Sequence, residues 1–167
     1  MFPPPEGHAD STGFHCPRID FMGVPMLACT TGEFIDQFLA AAAQRSTKSP
    51  LFVTYVNAAC SNIAARNRDY AQILEKADGV YADGQAIVWA SKLLKVPLPE
   101  RVNAADFIVH FCKVAAAQDM SLYLLGSEHG VASAAAAKLT DASNIRVAGV
   151  SDGFFTDEAE AIARVKQ

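Results

Sequence analysis

Short apolar segments alternate with helix-like segments along most of this chain, and this alternation constrains the fold more than any other feature. Residues 51–56 are β-branched and aromatic, as in a strand, whereas residues 104–118 carry apolar side chains at helical spacing. Strands that alternate with helices in this way predict parallel pairing with helices on the sheet faces. We therefore expect an α/β fold with a Rossmann-like, layered, mostly parallel sheet flanked by helices.

The remaining elements are predicted from caps, turns and breakers. Thr30 and Glu33 have the spacing of a capping box and predict a helix that begins there. Asn57 ends the strand 51–56, and a helix follows it to residue 65. A strand or hairpin is expected over 19–28, strands near 80–82, 121–125 and 145–150, and helices over 69–76, 86–94, 131–139 and 157–165.

Composition limits the class of protein. The 167 residues are 51% hydrophobic and 19% charged, which is typical of a globular domain. A net charge of −4 and scattered basic residues argue against nucleic-acid binding. With no apolar run of membrane-spanning length, no signal-peptide core and no paired cysteine motif, we expect a cytoplasmic protein. Residues 1–17 are rich in proline, glycine and polar residues and are expected to form a flexible tail before a domain over 18–167.

The segment 80–87 carries the most informative candidate for chemistry. A short apolar strand ends at Asp83-Gly84, and an apolar helix follows at once. In α/β sheets this position is the carboxyl edge of a strand, where ligands bind. Asp83 can then act as a general base toward a substrate hydroxyl, or it can simply cap the next helix. The segment alone does not separate the two interpretations.

Other loops leave similar alternatives open. The turn from Gly126 to Gly130 can cradle a phosphate, but an ordinary strand-to-helix turn also needs glycine. Arg101, in a proline-stiffened loop, can bind a diphosphate or pair with Glu100 in solvent. No Asp-x-Asp pair or HExxH motif is present, so no metal site and no cofactor are expected.

Taken together, these segments resemble the WecG/TagA/CpsF family of bacterial glycosyltransferases (glycosyltransferase family 26). The resemblance covers residues 19–167, and Asn57, Asp83 and Arg101 fall at the spacing of the family. The most specific block runs from residue 69 to 102. The matching segments are Asn57, 69–78, 81–84, 90–94, 97–102, 124–127 and 152–155.

The resemblance implies inverting transfer of an N-acetylmannosamine-type sugar from a UDP-sugar to an undecaprenyl-diphosphate-linked acceptor in cell-surface polysaccharide or teichoic acid synthesis. It implies Asp83 as the catalytic base. It also implies peripheral contact with the cytoplasmic membrane face and leaves self-association open. The substrate-binding residues that it implies are Asn57, Gly84, Gln85, Arg101, Asn103, Gly126 and Ser127.

The sequence departs from the family pattern in two places. The family commonly has Thr two residues before the pocket Asn, where this chain has Tyr55; Thr54 is adjacent but should point to the opposite strand face. Family members also continue beyond the point that matches Gln167, with a nucleotide-sugar loop and a membrane-docking segment, so we expect a fold that is truncated at its C-terminus. A non-catalytic nucleotide- or partner-binding module is therefore the alternative to an enzyme.

Overall fold

The computed structural model describes residues 14–45 and 50–165, which divide into two compact units. The first unit extends to Ala105, the second starts at Asp106, and each is described by itself. The prediction of one domain over 18–167 stays a prediction.

The first unit contains β1 (Arg18–Phe21), β2 (Val24–Leu27), α1 (Thr31–Gln44), β3 (Val53–Val56), α2 (Ala58–Ala64), α3 (Arg68–Lys76), β4 (Gly79–Ala82) and α4 (Gln85–Leu93). Helix α5 (Ala104–Ala117) begins at the boundary, and β5 (Ser121–Leu125), α6 (Val131–Ser143), β6 (Arg146–Ser151) and α7 (Glu158–Val165) follow.

The strand pairing confirms the predicted α/β class. Strands β3 and β4 are parallel, as are β5 and β6, whereas β1 and β2 form an antiparallel hairpin. None of the helices within residues 14–45 and 50–165 combines the length and the hydrophobicity that a membrane-spanning segment needs.

Strand β4 lies at the centre of the first unit. All four of its residues, from Gly79 to Ala82, are buried, as expected for a parallel strand that is covered on both faces. Hairpin strand β2 packs beside it, and α3 packs on β2. The core around this strand consists of Phe21, Val24, Met26, Val56, Leu74, Ala77, Val80, Ala82, Ile87, Val88 and Leu98.

The capping box at the start of α1 is confirmed. The Glu33 N–H donates to the Thr30 hydroxyl oxygen, and the Thr30 N–H donates to the Glu33 carboxylate at 2.8 Å. Two N–H groups that a helix N-terminus leaves without an internal partner are thereby satisfied.

Residues 14–17, the last four of the predicted flexible tail, are held in place by α1, so for them that prediction is wrong. Phe14 is fully buried, and its ring stacks on Phe34 with centroids 6.3 Å apart. The N–H groups of His15 and Cys16 donate to Gln37 Oε1 at 2.7 and 2.9 Å. Composition suggested a tail, but an aromatic side chain that finds a core site overrides it. The rest of the predicted tail, residues 1–13, lies outside the described residues.

In the second unit, α6 packs against the parallel pair β5 and β6. Ile145 and Leu139 are buried there. A Cβ atom built on Gly149 would lie 2.5 Å from the Tyr123 ring, so the ring occupies the space that a side chain would need. Glycine at this point of β6 therefore allows the two strands to pack closely.

Candidate active site

The parallel register of β3 and β4 brings Asn57 and Asp83 together. Val56 lies opposite Ala82, so both strands end at the same level, and the Asp83 N–H donates to the Val56 carbonyl at 3.0 Å. A Cβ atom on Gly84 would lie 3.6 Å from the Asn57 Cβ, so these two residues are in contact. Parallel strands thus place residues 26 positions apart in the sequence at one edge.

Asn57 caps helix α2, as its residue type predicts. Its backbone is extended, and its side-chain oxygen accepts the Cys60 N–H at 3.0 Å. The cap fixes the direction of the side chain at the strand edge.

Asp83 is not the cap of helix α4. The cap position belongs to Gly84, which has extended backbone, and the Asp83 carboxylate accepts a hydrogen bond from Asn103 Nδ2 at 2.5 Å. The carboxylate is partly buried. The capping interpretation that the sequence left open is therefore wrong, and the carboxylate is bonded to Asn103 instead.

The segment that carries Arg101 and Asn103 is fastened beside the end of β4. The Val102 N–H donates to the Ala82 carbonyl at 2.9 Å, and the Leu98 N–H donates to the buried Ser91 hydroxyl at 3.0 Å. These bonds place residues 101–103 next to Asp83. Arg101 itself is exposed, and so is Gln85 in the first turn of α4.

Glu100 reaches the start of helix α1. Its Oε1 accepts the Thr31 N–H at 2.6 Å, and this hydrogen bond is the first cause of a lowered pKa for the carboxyl. A carboxylate at a helix N-terminus is also favoured by the helix dipole. The bond gives Glu100 a structural role. The sequence alone had suggested only that Glu100 could pair with Arg101.

An aromatic layer lies along the strands that lead to the site. The Tyr81 ring is 6.1 Å from Tyr55 and 4.8 Å from Phe34, measured between centroids. Burial, followed by the charge of Asp83, raises the pKa of Tyr81 to about 12. Its hydroxyl is thus a neutral hydrogen-bond donor at neutral pH.

Tyr55, at the position where the family commonly has Thr, lies beside another aromatic side chain. Tyr55 lies opposite Tyr81 in the parallel register, and its side chain is 42% exposed. Alternation along β3 puts Thr54 on the other face, as expected. Tyr55 therefore packs against Tyr81 on this face, and a hydroxyl role at this position stays a prediction.

In the second unit, the turn after β5 meets the turn after β6. The Gly126 N–H donates to the Ser151 carbonyl at 3.0 Å, and the Gly153 N–H donates to the Ser127 carbonyl at 2.9 Å. Gly126 and Gly130 have φ of 143° and 84°. These conformations favour glycine without any ligand, so phosphate binding by Gly126 and Ser127 stays a prediction.

Asp152, in the turn after β6, forms an ion pair with Arg164 of α7. The hydrogen bond from Arg164 lowers the pKa of the Asp152 carboxyl. This pair anchors α7 to the turn.

Within residues 14–45 and 50–165, no group of three or more His, Cys, Asp or Glu side chains could hold a metal ion. This observation does not test whether the reaction uses a metal ion, so the prediction that it needs none stays a prediction.

The family model for the "Glycosyl transferase WecG/TagA/CpsF family" matches residues 19–167. The chain belongs to this family. Curated relatives in Staphylococcus aureus, from strains NCTC 8325 / PS 47 and COL, are each named N-acetylglucosaminyldiphosphoundecaprenol N-acetyl-beta-D-mannosaminyltransferase. Each is 28% identical over 118 residues, which is 71% of this chain and 46% of the relative. The chain thus spans less than half the length of the curated relatives that it matches.

For this WecG/TagA/CpsF family member, the structure groups most of the predicted site residues of the first unit. Asn57, Asp83, Gly84 and Asn103 meet at the edge of β3 and β4, whereas Gly126 and Ser127 lie in the second unit. Sequence reasoning missed the aromatic contacts of Tyr81 beside Asp83. The signal was available, because Tyr81 lies only two residues before Asp83, near the end of a predicted strand.

Proposed function

We propose that this chain is a glycosyltransferase that moves an N-acetylmannosamine-type sugar from a UDP-sugar to an undecaprenyl-diphosphate-linked acceptor, with inversion. Family membership and the names of the staphylococcal relatives support the reaction class. The observation that carries the proposal is a carboxylate, Asp83, at the carboxyl edge of the parallel pair, bonded to Asn103 rather than to a helix.

In this mechanism Asp83 accepts the proton of the acceptor hydroxyl as that oxygen attacks the anomeric carbon of the donor sugar. The bond from that carbon to the UDP oxygen breaks, and UDP leaves from the opposite face. A single displacement of this kind inverts the anomeric configuration. Because one base serves the attacking hydroxyl, the reaction needs only one carboxylate near the acceptor.

The leaving diphosphate needs positive charge or hydrogen-bond donors around it. Arg101 supplies a guanidinium in the segment beside β4, and its planar fork suits phosphate oxygens. Asn57 uses its oxygen as the cap of α2, so its amide nitrogen is the atom that would contact substrate. We assign Gly84 and Gln85 to the same pocket and propose that the reaction needs no metal ion. We place the reaction at the cytoplasmic membrane face, where a polyprenyl acceptor is presented.

The test measures UDP release from UDP-N-acetylmannosamine with a polyprenyl-diphosphate-linked N-acetylglucosamine acceptor. Asp83→Asn keeps an oxygen that accepts the Asn103 hydrogen bond but removes the base, so we expect activity to fall by about 100-fold or more. The control is Asp20→Asn, since the Asp20 side chain accepts the Gly23 N–H in the hairpin turn and Asn can do the same. Equal activity of wild type and Asp83→Asn would exclude Asp83 as the base.

Calorimetric titration with UDP separates an enzyme from a binding module. Turnover together with UDP binding supports the proposed function. UDP binding without turnover under the same conditions contradicts it and favours a non-catalytic nucleotide-binding module.

A further inference from the structure

We propose that Asn103 is a positioning residue for Asp83: its amide holds one carboxylate oxygen so that the other is presented to the acceptor hydroxyl. This inference rests on the proposed function, in which Asp83 is the base.

The contact between the two side chains is direct. Asn103 Nδ2 donates to Asp83 Oδ1 at 2.5 Å, across 20 residues of sequence. The terminal torsion of an Asp side chain has a broad preference, so an isolated carboxylate rotates easily. A hydrogen bond to Oδ1 restricts that rotation and leaves Oδ2 with a defined direction. A base held in one direction reaches the acceptor proton without first being oriented.

Asn103 is itself held at its other end. Its Oδ1 accepts the Ala105 N–H at 2.9 Å in the first turn of α5. Because a backbone N–H can only donate and an ionised carboxylate can only accept, these two partners together fix which end of the amide is oxygen and which is nitrogen. The backbone just before Asn103 is held as well, since the neighbouring Val102 N–H donates to the Ala82 carbonyl at the end of β4.

The two hydrogen-bond partners, the Asp83 carboxylate and the Ala105 N–H, also explain why asparagine suits position 103. Aspartate would cap α5 equally well but has no donor for Asp83. Serine would cap the helix too, but its shorter side chain offers one hydroxyl for both tasks. An amide supplies both an acceptor for the Ala105 N–H and a donor for the Asp83 carboxylate, and this position needs both.

Asn103→Asp separates the positioning role from the structural one. The variant keeps the cap of α5 and replaces the donor with a second carboxylate beside Asp83. We expect kcat to fall by about 10- to 100-fold, because the base loses its orientation, while KM for both substrates changes by less than about threefold. We also expect the acidic limb of the pH–rate profile to move to higher pH, because two neighbouring carboxylates disfavour each other's ionisation.

The matched control is Asn67→Asp. Asn67 caps α3 by accepting the Tyr70 N–H at 3.0 Å, so the same chemical change occurs at a helix cap outside the site. We expect kcat, KM and the pH–rate profile of this variant to equal those of the wild type. Thermal melting of both variants reports any loss of folding.

Each kinetic outcome decides whether Asn103 positions Asp83. A lowered kcat in Asn103→Asp with a nearly unchanged KM supports positioning. A raised KM with unchanged kcat would show that Asn103 contacts substrate instead, as the family resemblance implied, and would overturn the inference. Unchanged kcat and KM would overturn it as well.

If the wild-type chain transfers no sugar, the proposed function fails. The contact between Asn103 and Asp83 can then still be tested by NMR. The side-chain amide protons of Asn103 in the wild type are compared with those in Asp83→Ala. We expect one proton to be shifted downfield in the wild type and to lose that shift in the variant. Equal shifts would overturn the positioning contact whatever the activity.

Discussion

Phe52 and Asp78 are joined by two hydrogen bonds that run in opposite directions. The Phe52 N–H donates to Asp78 Oδ2 at 2.8 Å, and the Asp78 N–H donates to the Phe52 carbonyl at 2.8 Å. Each residue immediately precedes the strand pair β3 and β4. The second carboxylate oxygen of Asp78 accepts from Arg45 Nη2 at 2.7 Å. This arrangement sets the register that brings Asn57 level with Asp83.

Asp78→Ala should therefore destabilise the first unit. The variant loses two hydrogen bonds to a charged acceptor and leaves Arg45 without this partner, so we expect a loss of about 2 kcal/mol in the free energy of unfolding. Chemical denaturation measures it, with Asp36→Ala on the exposed face of α1 as the control, for which we expect a change within about 0.5 kcal/mol. Equal stability of the two variants would show that Asp78 does not hold the register.

Gly153→Ala should disturb the turn after β5. A Cβ atom at residue 153 would lie 2.9 Å from the Gly126 Cα and from the Ser127 N, both backbone atoms. Backbone cannot move aside as a flexible side chain can, so we expect a loss of about 1–3 kcal/mol. Hydrogen exchange of the Gly126 amide, which bonds to Ser151, should become faster.

Gly32→Ala is the control for this substitution. Gly32 lies in α1 with no atom within 4 Å of its added Cβ, so alanine should stabilise the helix by about 0.5–1 kcal/mol. If Gly153→Ala were as stable as the wild type, the close approach of the two turns would not be a constraint.

The first turn of α7 should loosen in acid. Hydrogen bonds from the hydroxyl and N–H of Thr156, followed by the hydrogen bond from Arg164, lower the pKa of Glu160 from 4.5 to about 2. A carboxyl whose pKa is lowered on folding stabilises the fold fully above its unfolded pKa and loses that effect as pH falls through its folded pKa. We therefore expect the protection of α7 to decline between pH 4.5 and about 2.

Amide exchange of the α7 residues, measured by NMR as a function of pH, tests this expectation. In Glu160→Gln the decline over that range should be smaller, because the titrating carboxyl is absent. The same decline in both proteins would assign it to another group.

Buried cysteines should react slowly with alkylating reagents. Cys16 and Cys29 are buried, and burial raises the pKa of each thiol. Since the thiolate is the nucleophile, a raised pKa and a closed surface both slow the reaction. We expect iodoacetamide at pH 8 to modify the partly exposed Cys60 at least about 10-fold faster, as followed by peptide mass spectrometry. Equal rates would mean that residues 14–17 leave α1 readily.

Much of the fold was predictable because its signals are local. The capping box of Thr30 and Glu33, the cap at Asn57 and the alternation of strands and helices all depend on residues within a few positions of each other. The tail prediction failed at Phe14 because burial depends on whether a core site exists, and composition does not contain that information. Excluding Asp83 as the cap of α4 likewise needed the structure, which puts Gly84 at that position.

The sequence by itself determined the α/β class, the order of the elements and the set of polar residues at the strand ends. It did so because apolar periodicity and turn chemistry act over short distances. Only the tertiary structure decided which of those residues become partners. Asn103 is 20 residues from Asp83, and Glu100 is 69 residues from Thr31. Such hydrogen bonds form only when the packing of the whole unit brings their two segments together, and no local pattern specifies that distance.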